Sequence, residues 1–313
     1  MLSVNFWGVR GSTPCPCDDN RRYGGNTACV VLASPGRDPI VLDLGTGLRF
    51  FGDTIGADTV FKASAFVTHL HWDHVQGLPF FVPINRPGAE IDIYAPAQDG
   101  VSVCDAFGEF MRPPYFPVRT SDLAGTVRFH DVANTEVTVG DARVLVRDVP
   151  HVGATNGYRV TVDGVSVAYL SDHQEPTEDA SQVAPSVLEL CRDADLVIHD
   201  AQFTPEDFAA KSTWGHCTVQ YAVEVAAQAG ARRLALFHHD PSRGDAAVER
   251  LLAEAQVLGR QRGLEEVIAA SEGLSISVSP GRPATNGVEK ISAEPAAAAL
   301  RTNGAVPRRV TTA

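Results

Sequence analysis

Long apolar runs are missing from this 313-residue chain. The stretch Leu78-Pro79-Phe80-Phe81-Val82-Pro83-Ile84 is short and broken by its prolines, so no segment reads as a bilayer span. The first seven residues lack the basic n-region and long apolar core of a secretory signal, and the expected location is therefore the cytoplasm. Six cysteines in a chain this long do not make a disulfide framework. Cys15 and Cys17 form a CxC, but no second cysteine pair accompanies it, and both read as structural or incidental thiols. Basic charge is also short: 26 Lys and Arg stand against 38 Asp and Glu, a net −12, which argues against extensive contact with a nucleic-acid backbone while allowing a local basic pocket. There is no internal repeat at a short fixed period. What remains, 44% hydrophobic and 20% charged, is ordinary for a soluble globular chain of one large α/β domain or two modest ones.

The opening third is dense in strand patterns. Residues 2–7 alternate, residues 28–33 and 40–44 are short apolar strands, and glycine-bearing turns at 8–14, 21–27 and 45–47 separate them. Short turns between strands predict a mostly antiparallel sheet. Further on, residues 91–94 read as a strand and 100–111 as a helix, followed by a proline- and aromatic-rich connector at 113–117 placed to overhang a site. Strands are then expected at 126–129, 137–139, 144–149, 158–162 and 165–170, the last two joined by an Asp163-Gly164 hairpin turn. A helix face runs through Val183, Val187, Leu190, Cys191 and Ala194, and a buried strand through 195–200. Thr218 caps a helix that Gly230 stops, residues 234–237 are a strand, and a striped helix ends near Gly263. The domain is expected over 1–278. From 279 to 313 the composition turns to Pro, Ala, Thr, Asn and Arg without periodicity, and the tail is expected to be disordered.

Chemistry concentrates where the apolar run Ala65-Phe66-Val67 ends in Thr68-His69-Leu70-His71-Trp72-Asp73-His74. In an extended segment residues two apart point the same way, so His69 and His71 converge on one ion, while Asp73 and His74 follow at the turn and face a second. A lone buried histidine is usually a packed core residue. Three with a carboxylate in six positions are costly to desolvate unless a cation compensates them, and zinc and its first-row neighbours favour this mix of donors. Other polar residues also end apolar strands: His151 after 144–150, Asp172 after 167–171, and His238, with His239 beside it, after 234–237. Taken singly each is as readily a cap or turn residue.

The run Thr68 to His74 resembles the HxHxDH signature of the metallo-β-lactamase superfamily, and the likeness extends over residues 2–277. It implies an α/β architecture, the four-layer αββα sandwich. It also implies two divalent metal ions, zinc first with manganese or iron as alternatives: His69, His71 and His151 for one, Asp73, His74 and His238 for the other, and Asp172 bridging. His238 is preferred to His239 because in the family the ligand directly ends the strand, and His173 is then a bystander. A pair of ions about 3.5–4 Å apart holds a bridging hydroxide suited to in-line attack at phosphorus, with Asp73 able to take its proton.

Leu196-Val197-Ile198-His199-Asp200-Ala201-Gln202-Phe203 and Trp214-Gly215-His216-Cys217-Thr218 resemble elements of the ribonuclease Z and cyclic phosphodiesterase branch. There, an acid (here Asp200) orients a histidine (here His216) that acts on the scissile phosphate. His216 also precedes a helix N-terminus, a natural phosphate seat. Gly24-Gly25-Asn26-Thr27, Arg10-Gly11-Ser12 and Asp43-Leu44-Gly45-Thr46-Gly47 resemble the branch's opening elements, with Asp43 steadying a ligand loop. Asn26 and Arg10 either meet substrate or hold loops.

The leading expectation is a phosphodiesterase acting on a small or cyclic phosphodiester such as a cyclic nucleotide. A ribonuclease Z-like tRNA 3′-processing endonuclease is the first alternative, weakened by the acidic charge and by the absence of a glycine-rich basic arm between Arg147 and Asp200. A lactone or thioester hydrolase and an inactive metal-binding or sensory module are the others. A homodimer, the commonest soluble oligomer, is the default assembly.

Overall fold

The computed structural model describes residues 2–281 and 294–295. Apart from 279–281 and 294–295, the expected disordered tail lies outside the described residues. Fifteen strands are described among them, in two sheets. The first holds β1 (Leu2–Gly8), β2 (Cys29–Ala33), β3 (Ile40–Leu42), β4 (Lys62–Phe66), β5 (Glu90–Ala95), β6 (Thr126–Asp131), β14 (Leu274–Val278) and β15 (Glu294–Pro295), in the order β15-β14-β1-β2-β3-β4-β5-β6. The second runs β13-β12-β11-β10-β9-β8-β7. Its members are β7 (Glu136–Val139), β8 (Ala142–Asp148), β9 (Asn156–Val162), β10 (Val165–Leu170), β11 (Leu196–Asp200), β12 (Arg233–Phe237) and β13 (Glu266–Ala269).

Val4, Phe6, Val30 and Leu42 of one sheet share a core with Val146, Val160, Tyr169 and Phe237 of the other. The outer face of the first sheet is covered by α1 (Gly47–Asp53) and α3 (Val103–Phe110), through Leu48, Val103 and Phe107. α4 (Pro185–Cys191), α6 (Val219–Gln228) and α7 (Asp245–Gln261) cover the second, through Val187, Leu190, Ala222, Val225 and Val248, and the short α5 (Pro205–Lys211) lies between β11 and α6 in the chain. The molecule is an αββα sandwich.

Both sheets are mixed, so the expected antiparallel pairing holds for the opening strands β1 to β3 and not beyond β3. β15, β14, β1, β2 and β3 pair antiparallel, whereas β3 to β6 pair parallel. Parallel neighbours need a crossover, and α1 and α3 supply two of them. At seven residues, α1 is too short to betray a helical period. The second sheet is parallel from β10 to β13 and antiparallel from β10 to β7. The Asp163-Gly164 hairpin is present, both residues at positive φ (51° and 75°), as a two-residue turn matched to strand twist requires. No helix among the described residues is long and apolar enough to cross a membrane. The consequence for the site is that the C-terminal ends of β3, β4, β8, β10, β11 and β12 open toward one edge of the sandwich, where ligands collect in α/β sheets.

Candidate active site

All the chemistry-bearing residues but His216 sit at or just past one of those strand ends. The segment after β4 delivers His69 and His71, and a single turn, α2 (Trp72–Val75), delivers Asp73 and His74. β8 leads to His151, β10 to Asp172, β11 ends at Asp200, and β12 leads to His238. Donor atoms of His69, His71 and His151 lie within 4.8 Å of one another, as do those of His69, His74 and Asp172, of Asp73, His74 and His238, and of Asp172, His216 and His238. The structure thus brings together every residue read as a ligand from the sequence. His69 Nε2 is 2.7 Å from His71 Nδ1, and His151 Nε2 is 3.4 Å from that same nitrogen. His74, His238 and Asp172 are buried at the floor, whereas His71 is open to solvent.

A hydrogen bond on the far nitrogen fixes the tautomer of three of these rings. His74 Nδ1–H donates to Asp43 Oδ2 at 2.8 Å, His238 Nδ1–H to Gln202 Oε1 at 2.8 Å, and His151 Nδ1–H to the Gly215 carbonyl at 2.7 Å. In its neutral form each of these rings turns its Nε2 lone pair inward. His74 Nε2 faces Asp73 Oδ2 and Asp172 Oδ2, both at 3.2 Å. His238 Nε2 faces the same two oxygens at 3.1 and 3.4 Å. His74 Nε2 and Asp172 Oδ2 are buried without a hydrogen-bond partner. A converging set of acceptors with no donor among them is a cation's environment. Burial alone would keep His74 neutral, yet the carboxylates of Asp73, Asp172 and Asp43 outweigh it and raise its pKa well above the usual histidine range. Without a cation, the positive charge this favours is a proton on His74 Nε2, which a bound metal ion would displace to free the lone pair. Burial keeps His69, His71 and His151 neutral with lone pairs available. It also opposes charge on Asp73 and Asp172, but the adjacent histidines prevail and hold both as carboxylates. Nitrogen and carboxylate oxygen donors of this kind fit divalent first-row metal.

The supporting groups are as specific. Asp43, at a left-handed φ of 59°, accepts from the Thr68 amide at 2.7 Å, the Tyr169 hydroxyl at 2.8 Å and His74. Ser12 N–H donates to Asp73 Oδ2 at 2.7 Å. Sequence reasoning anticipated Asp43 but missed Gln202 and Gly215. A glutamine after a strand and a glycine carbonyl carry no local signal; only the fold puts them behind His238 and His151.

His216 Nδ1–H donates to Asp200 Oδ2 at 2.9 Å, and its ring stacks on His238 with centroids 5.1 Å apart. Burial opposes its protonation, but the carboxylates of Asp200, Asp172 and Asp73 prevail and bring its pKa to about 9. The helix N-terminus beyond it does not offer the phosphate seat that the sequence suggests. Thr218 N–H already donates to Glu175 Oε2 at 2.8 Å, and Thr218 Oγ1 caps the Tyr221 amide.

The neighbours sort themselves out. His239 points away, its Nε2–H donating to the Ala270 carbonyl, and burial lowers its pKa to about 3. His173 turns from the cluster to His199, 2.9 Å away. Arg10 is fully buried, donating to the carbonyls of Gly24, Asp240 and Arg243, and Asn26 is held by Glu272, so both fasten loops. All six cysteines are free thiols, and none belongs to a ligand cluster among the described residues.

Known proteins share this arrangement of chain. Residues 59–239 match the beta-lactamase superfamily domain. A ribonuclease Z of Natronomonas pharaonis is 28% identical over 276 residues, covering 76% of this chain and 86% of the relative. The human short-form tRNase Z structure shares the fold at a TM-score of 0.64 and 22% identity, over 88% of this chain and 99% of that one. So does a diphosphatase of the PhnP family, at a TM-score of 0.64 and 19% identity over 90% and 99%. With the domain match spanning more than half of its length, this chain belongs to the beta-lactamase superfamily and is a metal-dependent hydrolase of the metallo-β-lactamase fold.

Proposed function

We propose that the protein is a phosphodiesterase that uses two divalent ions, zinc by donor preference, on small or cyclic phosphodiesters such as cyclic nucleotides. The observation that carries this reading is the His216–Asp200 pair set against His238 at the edge of the ligand cluster. His69, His71 and His151 would hold one ion, Asp73, His74 and His238 the other, with Asp172 between them. When bound, such ions supply a nucleophile from water near neutral pH and clamp the phosphoryl oxygens. Asp73, steadied by the Ser12 amide, takes the proton of the attacking water. His216, kept upright by Asp200, gives its Nε2 proton to the departing alkoxide, as a general acid does within hydrogen-bond reach.

Processing of tRNA 3′ ends is the second reading, favoured by the ribonuclease Z relatives that the chain matches along most of their length. Against it stands the segment between β10 and α4, residues 171–184. It is short and carries Asp172, Glu175, Glu178 and Asp179 but no lysine or arginine, a poor surface for a polyanion. The deciding experiment is hydrolysis by metal-analysed protein of cyclic nucleotides, a linear phosphodiester, a tRNA precursor, a lactone and a thioester, side by side. Turnover of the small phosphodiesters supports the proposal, turnover of the tRNA precursor alone selects the second reading, and activity confined to the lactone and thioester overturns both.

A further inference from the structure

Two of the chain's three tryptophans are mostly exposed, Trp72 at 65% and Trp214 at 61%. Both border the ligand cluster. Trp72 lies between His71 and Asp73, and Trp214 precedes Gly215, whose carbonyl accepts the His151 Nδ1–H. His151 in turn lies 3.4 Å from His71. Each indole is therefore one residue removed from a group of the cluster, His71 on one side and the Gly215 carbonyl that holds His151 on the other, and of these two rings His71 is the exposed one. Each indole also has a neighbour that restricts it: Phe110 at 6.2 Å from Trp72, and the Lys211 ammonium 5.4 Å from the centroid of Trp214. A soluble surface gains nothing from two bare indoles, each among the largest apolar payloads a side chain offers.

We propose that Trp72 and Trp214 form a subsite for a nucleobase attached to the scissile phosphate, with Lys211 adding positive charge beside it. The inference rests on the phosphodiesterase reading. A protein or membrane docked on both indoles would also lie against the exposed His71 beside Trp72, so the occupant proposed is the substrate itself. It carries a flat π-face for the indoles and an anionic group for the cluster and Lys211. Stacking on indole accepts any base, so discrimination among bases is weak. A mononucleotide and the end of a polynucleotide present the same chemistry.

The test compares two esters with the same leaving group on zinc-loaded protein: thymidine 5′-(p-nitrophenyl phosphate) and methyl p-nitrophenyl phosphate. Trp72→Ala and Trp214→Ala should each raise KM for the thymidine ester relative to the methyl ester, on the order of tenfold, with the ratio of kcat values unmoved. Trp72→Phe and Trp214→Phe, which keep a ring, should restore most of the difference. Equal changes for both esters, or no change for either, overturn the proposal. A short oligonucleotide run alongside shows whether the base arrives alone or on a polymer. Should zinc-loaded wild-type protein cleave neither ester, the phosphodiesterase reading fails. The subsite then stands or falls on quenching of tryptophan fluorescence by AMP: saturable quenching reduced in both alanine variants upholds it, and its absence in the wild type overturns it.

Discussion

Asp200 Oδ2 accepts the His216 Nδ1–H at 2.9 Å while the amides of His173 and Gln202 hold the same carboxylate at 3.1 and 2.9 Å. The acid is thus fixed by backbone before it fixes the imidazole, and His216 has one accessible nitrogen to offer a leaving group. Replacing His216 with Ala should lower kcat by about 10²–10⁴-fold on a diester with an alkoxide leaving group. A p-nitrophenyl ester, whose leaving group departs as a stable anion, should lose far less. Asp200→Asn should show the same ordering with smaller losses. Equal losses on both substrates would mean that His216 binds phosphate without donating a proton.

Asp43 ties the two halves of the sandwich to the floor of the histidine and carboxylate cluster, since it accepts from Thr68 after β4, Tyr169 on β10 and His74. Asp43→Ala frees the His74 ring to turn and should weaken metal binding roughly 10–100-fold, the usual cost of losing such a partner. It also strands buried donors at the Thr68 amide and the Tyr169 hydroxyl, at about 1–3 kcal/mol each. Competition with a chromophoric chelator reads the first effect and the urea midpoint the second. An unchanged zinc affinity would show that packing alone orients His74.

Gly215 has a φ of +92°, and a Cβ there would lie 2.2 Å from His151 Nδ1. The position therefore rejects a side chain for two reasons, backbone strain and collision with a ring of the ligand cluster. Gly215→Ala should retain the circular dichroism spectrum yet bind less metal, with hydrolysis falling in proportion to the metal lost. Full metal content in the variant would place His151 outside the ligand set.

How much of this was legible in the residues follows from where the signals lie. His69, His71, Asp73 and His74 stand out because an apolar strand gives way abruptly to polar groups. His151, Asp172 and His238 repeat that pattern, and the αββα layering follows from the resemblance they carry. The switch to parallel pairing at β4 was not legible, because the crossover helix α1 is a single short element. Nor was the fate of the α6 N-terminus, which Glu175 reaches from 43 residues away. Gln202 and the Gly215 carbonyl act through distance in space, to which local pattern is blind.

Behind Asp200, His199 is fully buried with both ring nitrogens engaged: Nδ1–H donates to the Asp200 carbonyl at 2.7 Å and Nε2 accepts from His173 Nδ1–H at 2.9 Å. Burial lowers its pKa from the ordinary 6.5. In the unfolded chain it titrates near 6.5, so below that pH the unfolded state binds a proton that the native state refuses. The stability tied to a neutral His199 is therefore complete above about pH 6.5 and is lost progressively as the pH falls toward the native pKa. At saturating zinc, the wild-type urea midpoint should drop between pH 7.5 and 5.5, and His199→Asn should drop less over the same interval despite starting lower. The difference between the two slopes reports His199 together with the hydrogen-bonded His173. Parallel slopes would place the acid sensitivity elsewhere, in histidines that do not share this pair.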